Sequence, residues 1–141
     1  MSYLNDKVLN ENDVVQAVVE HFKKNSYEII QVLTTKDHGH DIVAKDLNGC
    51  VIYIEAKGGT SSKEGTSRYE KGFDRNQKRT HVAVAILKAM QTKQQENNPR
   101  VGIAVPDDKD HKDIIASIHS SLNALGIEIY YVDGMMNVNK V

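Results

Sequence analysis

Two short apolar stretches on either side of a turn constrain this chain more than any other feature. They are Asp41-Ile42-Val43-Ala44-Lys45 and Cys50-Val51-Ile52-Tyr53-Ile54-Glu55-Ala56-Lys57, and they read as arms of a β-hairpin around Asp46-Leu47-Asn48-Gly49. Loop length decides which side chains share a face, because a one-residue slip turns every side chain over. A two-residue loop at Asn48-Gly49 pairs Leu47 with Cys50 and sets Asp41 opposite Ala56. A three-residue loop, Leu47-Asn48-Gly49, pairs Asp46 with Cys50, Asp41 with Glu55, Ile42 with Ile54 and Ala44 with Ile52. The second gives one consistently apolar face and puts Gly49 at the left-handed position of a type I turn plus bulge. The three-residue register is therefore expected.

That register matters because of the charges it gathers. Glu55 and Lys57 are two apart on one strand, so their side chains leave the same face, while Ile52, Ile54 and Ala56 leave the other. Asp41 opposite Glu55 brings two carboxylates together, which repel unless something compensates them. A divalent cation between them removes that cost, and hard oxygen donors suit Mg²⁺ or Mn²⁺. Lys57 then stands ready to hold a water or to stabilise developing negative charge, a constellation used on phosphate esters. Taken alone, Glu-x-Lys is an ordinary solvated pair worth under about 1 kcal/mol. The added aspartate, the Gly39 break and the register lift it above that.

The surrounding pattern alternates helix and strand. A helix over about Glu11 to Asn25 carries Val14, Val15, Val18, Val19 and Phe22 on one face, with Asn10 as N-cap and Asp13 three residues on. Tyr27 to Thr34 reads as a strand, and Thr35 to Gly39 as a polar break. Gly58 to Gly72 reads as an extended loop. A second helix runs from Asp74 to about Gln94, with Val82, Ala85, Ile86, Ala89 and Met90 as its buried stripe. Val101 to Val105 is a strand stopped by Pro106, and a third helix follows Asp110, with Ile114, Ile115, Ile118, Leu122 and Leu125 at helical spacing. Gly126 closes it, Ile127 to Val132 is the last strand, and Gly134 to Val141 shows no preference. The order α-β-β-β-α-β-α-β implies an α/β domain over residues 1–141, with a mixed sheet and helices on both faces.

At these residues the chain resembles the PD-(D/E)XK phosphodiesterase superfamily, the restriction-endonuclease-like fold. Gly39-His40-Asp41 is followed by Glu55-Ala56-Lys57 on the next strand, after an amphipathic helix and a strand. The match covers about residues 10–105 and looks nearest to small resolvase-like and Mrr-like members. The resemblance implies that Asp41 is the central metal ligand and Glu55 the second carboxylate. It also implies that the Ala56 carbonyl completes the coordination and that Lys57 orients the attacking water. Gln77 matches a glutamine that some relatives place early in the helix after the hairpin, and it equally fits the capping box opened by Asp74. His40 stands where the family's name has proline. Resolvase-like members often carry a glutamate on the first helix; counting back from Tyr27 its place falls at Val15, and of the neighbouring polar residues Gln16, Glu11 and Glu20, Glu11 is the chosen one because it lies on the buried face.

Charge and composition narrow the partners. The 141 residues carry a net charge of -1, which excludes a generally basic nucleic-acid coat. Residues 57–79, however, hold Lys57, Lys63, Arg68, Lys71, Arg75, Lys78 and Arg79 against Glu64, Glu70 and Asp74, a balance of +4 that leaves -5 for the rest. Of these, Lys63, Arg68, Lys71, Arg75, Lys78 and Arg79 are the expected DNA contacts, through phosphates rather than bases. His38 and His40 flank Gly39 and are further candidates for phosphate or metal. Asp107, Asp108, Asp110 and Asp113 read as helix-capping residues, and the single Cys50 as a reduced, half-buried side chain. One cysteine, a polar start and no long apolar run together point to a cytoplasmic protein with no membrane segment.

The expected function is a metal-dependent endonuclease, with Mg²⁺ or Mn²⁺ as cofactor and DNA as substrate. In the family, cleavage leaves a 5′-phosphate. Cutting two strands invites a homodimer. The competing readings are a catalytically inactive DNA-binding or assembly module on the same fold and, more distantly, a protein-interaction domain without a nucleic-acid role.

Overall fold

A computed structural model describes residues 8–33, 39–60 and 72–141. The first helix, α1 (Glu11–Lys24), begins where Asn10 and Asp13 form a reciprocal capping box: Asp13 N–H donates to the Asn10 side chain at 2.8 Å, and Asn10 N–H to Asp13 at 3.0 Å. Strands β1 (Glu28–Val32), β2 (Ile42–Lys45) and β3 (Val51–Ala56) follow as an antiparallel meander. Helix α2 (Arg75–Gln95) then crosses to β4 (Arg100–Pro106), which lies parallel to β3. Two short helices, α3 (Lys109–Ala116) and α4 (His119–Ala124), lead to β5 (Ile127–Val132), parallel to β4, and β6 (Val138–Lys140) closes the edge antiparallel to β5. The sheet runs β1-β2-β3-β4-β5-β6.

Strand alternation divides the core into two layers. On one face, α1 packs Val14, Val18 and Phe22 on Ile42, Ala44, Ile52, Ile54, Ala56 and Tyr130. On the other, Val82, Ala85 and Ala89 of α2, Ile115 of α3 and Leu122 of α4 cover Val101, Ile103, Val105, Ile127 and Ile129. The hairpin register is the expected three-residue one: Ile42 pairs with Ile54, Ala44 with Ile52 and Lys45 with Val51. No helix among the described residues is long and apolar enough to cross a membrane.

Four expectations need correction. The third helix starts at Lys109, because the Asp108 carboxylate takes the His111 N–H at 2.8 Å and so caps it ahead of Asp110. It is also broken in two: the Ser117 hydroxyl donates to the Ile114 carbonyl at 2.6 Å, which competes with helix continuation. Residues after Gly134 do form a strand, because the Asp133 carboxylate accepts the Met135 and Asn137 N–H groups, each at 2.9 Å, and turns the chain back onto β5. Finally, Met90 is exposed, and Thr92 completes the buried face of α2 with its hydroxyl donating to the Lys88 carbonyl at 2.9 Å.

The end of the sheet away from the candidate site is tied by Arg100. Its guanidinium forks onto Glu128 at 2.8 and 2.6 Å and reaches Asp46 at 2.9 Å and the Tyr27 hydroxyl at 2.8 Å. One side chain thereby joins the start of β1, the hairpin turn, β4 and β5. Arg100→Ala removes the forked contact to Glu128, which keeps the Tyr130 hydroxyl at 2.8 Å and Lys140 at 3.2 Å, and chemical denaturation should show a loss of about 1–2 kcal/mol because the site is partly solvated and the carboxylate stays paired.

Candidate active site at the end of the hairpin

Asp46 sets the geometry of this site from a distance. Its carboxylate accepts the Asn48 and Cys50 N–H groups, each at 2.9 Å, while its carbonyl accepts the Gly49 N–H at 3.0 Å. Gly49 sits at φ +82°, where a side chain is disfavoured. This turn fixes the register that brings Asp41 level with the end of β3, one residue beyond the Ile42–Ile54 pair. There the Asp41 carboxylate accepts the Ala56 N–H at 2.7 Å, and the Asp41 carbonyl accepts Leu33 N–H at 2.9 Å.

Glu55 leaves the sheet on the α2 side and is 2% exposed. A buried carboxylate needs partners, and among the described residues it has two. Lys88 of α2 donates to Oε1 at 2.8 Å, and His40 Nδ1 lies 3.3 Å from Oε2. The His40 ring is held edge-on against Tyr53, with centroids 4.8 Å apart. The Lys88 ammonium also reaches the Gly39 carbonyl at 3.3 Å.

Glu11 arrives from the opposite layer through a close backbone approach. A Cβ on Gly58 would lie 2.3 Å from the Glu11 nitrogen and 2.5 Å from the Asn10 carbonyl carbon, so only glycine lets α1 start against the end of β3. Gly59 N–H donates to the Leu9 carbonyl at 2.7 Å and holds the approach. Burial first, and then the charges of Asp41 and Glu55, push the Glu11 carboxyl up to about 7 against the opposing effect of Lys57 and Lys88. Asp41 is also raised, first by burial and then by Glu55, against the Ala56 N–H and the two lysines. Glu11, Asp41 and Glu55 therefore feel one another, with Lys57 and Lys88 as the compensating cations.

The other expected residues distribute unevenly. Ala56 contributes its N–H to Asp41, and Lys57 follows it, half-buried, with its N–H on the Ala104 carbonyl at 2.9 Å. Gln77 is drawn into the cap of α2: its side-chain oxygen accepts the Asp74 N–H at 2.9 Å. Arg75 faces Asp110 and Asp113 at 3.3 and 3.6 Å, and Lys78 faces Asp108 and Asp110 at 3.5 and 3.3 Å. The aspartates expected to serve as caps thus also neutralise two of the expected DNA contacts. Arg79 is exposed. Lys63, Arg68, Lys71 and His38 lie outside the described residues.

Sequence reasoning missed Lys88. It follows Ala85 by three residues and precedes Ala89, so it flanks the stripe that α2 lays on the sheet. That placement is the one available signal, and it becomes informative only once Glu55 is known to leave the sheet on the α2 side.

The described residues contain no assembled group of three or more His, Cys, Asp or Glu side chains at metal-holding distance. The donor chemistry nevertheless fits a hard divalent cation: partly or wholly buried carboxylates from α1, from the residue before β2 and from β3, two of them driven upward by burial and by their acidic neighbours.

No family profile and no curated protein sequence matches the chain. Solved structures do. An XisH family protein from Nostoc punctiforme PCC 73102 superposes with a TM-score of 0.57 at 16% identity, covering 92% of this chain and 98% of that one. An fdxN element excision controlling factor protein from Anabaena variabilis gives a TM-score of 0.55 at 17% identity, over 91% and 96% of the two chains. The likeness is one of fold. It agrees with the α/β order of elements, a mixed sheet with helices on both faces.

Two predictions follow from this geometry. Glu11, with its carboxyl raised when folded, contributes stability that is full below its usual value of 4.5 and lost as the pH rises through about 7. Glu11→Gln should flatten the pH dependence of metal-free stability in that window and gain about 1–2 kcal/mol above it, allowing for solvent screening, as read by denaturant titration. Gly58→Ala forces a methyl into the backbone of Asn10 and Glu11, and should lower Tm and cost about 2–3 kcal/mol.

Proposed function

We propose that this chain is a metal-dependent nuclease that hydrolyses DNA phosphodiester bonds. The observation that supports the reading is the placement of Asp41 and Glu55 at the end of the β2–β3 hairpin, with Lys88 on Glu55 and with Glu11 and Lys57 acting electrostatically on this pair. Asp41, Glu55 and Glu11, with the carbonyl of Ala56, are the groups that would hold Mg²⁺ or Mn²⁺. When bound, that ion supplies Lewis acidity at a phosphoryl oxygen and lowers the pKa of an adjacent water. Lys57 holds the attacking water and offsets charge that develops on the phosphorane-like transition state. The burial of Glu55 strengthens the electrostatic contacts that this carboxylate makes. The substrate backbone is met by Arg79 together with Lys63, Arg68 and Lys71, through salt-sensitive phosphate contacts. Arg75 and Lys78 contribute less, being paired with Asp108, Asp110 and Asp113.

A second reading has one specific observation in its favour. Both oxygens of Glu55 are already engaged by Lys88 and His40. A chain that keeps this arrangement would bind DNA or serve as an assembly module without cutting, and the Anabaena variabilis neighbour is named as a factor controlling excision.

Incubating the purified protein with plasmid and branched DNA in Mg²⁺ or Mn²⁺ separates the two. The nuclease reading expects cleavage, and expects Asp41→Ala, Glu55→Ala and Lys57→Ala each to lower the rate by at least about 10²-fold while leaving DNA binding in place. Cleavage that survives Asp41→Ala contradicts it, and salt-sensitive binding without cleavage under either metal supports the second reading.

A further inference from the structure

We infer that Lys88 is a built-in stand-in for the divalent cation: it neutralises Glu55 while the site is empty, and is displaced toward the substrate when metal enters. The inference rests on the metal-site reading above and assigns a role to a residue outside the strand motif. Its basis is geometric. The Lys88 ammonium sits 2.8 Å from Glu55 Oε1, at full charge-assisted hydrogen-bond contact with a carboxylate that is 2% exposed. A divalent ion drawn to the same carboxylate meets this positive charge within a few ångströms, and like charges repel at that range. The other oxygen, Oε2, already faces His40 Nδ1 at 3.3 Å, so an incoming ion meets both oxygens occupied, and Lys88 is the charged occupant that repels it.

Lys88 is built to be the one that leaves. Its side chain is 41% exposed, and it rises on a flexible four-carbon stem from the flank of α2, so it can swing without moving the backbone. Its second partner is the weaker one, the Gly39 carbonyl at 3.3 Å. Gly39 lies two residues before Asp41, so an ammonium released from Glu55 stays at the rim between α2 and the chain entering β2. That rim borders the carboxylates, and a phosphodiester approaching a metal held there meets the freed charge. Lys57 and Lys88 thus differ in kind: one is rooted at the strand end, the other reaches in from a separate helix and can exchange a carboxylate for a phosphate.

Calorimetric titration of the full chain with Mn²⁺ alone, for wild type, Lys88→Met and Lys88→Arg, tests this directly. Lys88→Met should bind Mn²⁺ on the order of tenfold more tightly than wild type, since no ammonium must be displaced. Lys88→Arg should stay near wild type. Without metal, Lys88→Met should melt at a lower temperature than wild type, and Mn²⁺ should raise its Tm by more, a crossover that a purely structural ion pair does not produce. Acetylation of Lys88 in the wild-type chain, followed by mass spectrometry, gives a second measurement free of any variant: added Mn²⁺ should speed it severalfold. Equal or weaker Mn²⁺ binding by Lys88→Met, or Lys88 acetylation unchanged by Mn²⁺ that is bound, overturns the stand-in role alone. Absence of Mn²⁺ binding by every form overturns the metal-site reading and this inference with it.

Discussion

The Asp46 turn is the constraint on which the site depends. Its carboxylate and carbonyl together take three N–H groups of the loop and commit the hairpin to one register. Shifted by one residue, Ile42 and Ala44 would leave the α1 core, and Asp41 would no longer lie level with the end of β3. The same step that fills the hydrophobic layer therefore sets the Asp41 and Glu55 carboxylates where each feels the other's charge. Hydrophobic burial holds them where their own repulsion would not.

Around that pair the fold arranges compensation from three directions. The Ala56 N–H satisfies Asp41 from within the sheet, Lys88 reaches Glu55 from the α2 layer, and Gly58 allows the start of α1 to press Glu11 in from the other layer. Glu11 makes the balance costly: its carboxyl is raised to about 7 because burial and two acidic neighbours outweigh the lysines. A cluster of acids with that much strain responds strongly to any added cation, whether a proton, an ammonium or a metal ion.

How much of this is legible in the sequence follows from how local each signal is. The register is legible because loop length and strand alternation leave one solution with a continuous apolar face, and the order of elements follows from clear periodicity. The strand β6 is not, because its three residues pair only after Asp133 folds the turn by side-chain hydrogen bonds. The break at Ser117 is likewise hidden, since Ile114, Ile115, Ile118 and Leu122 keep helical spacing across it while a hydroxyl takes a carbonyl from the ladder. Lys88 is invisible for a deeper reason. It is 33 residues from Glu55 in the chain, and nothing local to either residue records that α2 lies over that strand. The pairing of Arg75 and Lys78 with Asp108, Asp110 and Asp113 is hidden for the same reason: a charge run is legible, but its partners across the fold are not.

The most direct test of the account is a crystal of the chain soaked in Mn²⁺ and measured for anomalous scattering. The account predicts a peak between the carboxylates of Asp41 and Glu55, with the Lys88 ammonium moved off Glu55. Saturating Mn²⁺ that leaves no peak there, with Lys88 still seated on Glu55, would contradict it.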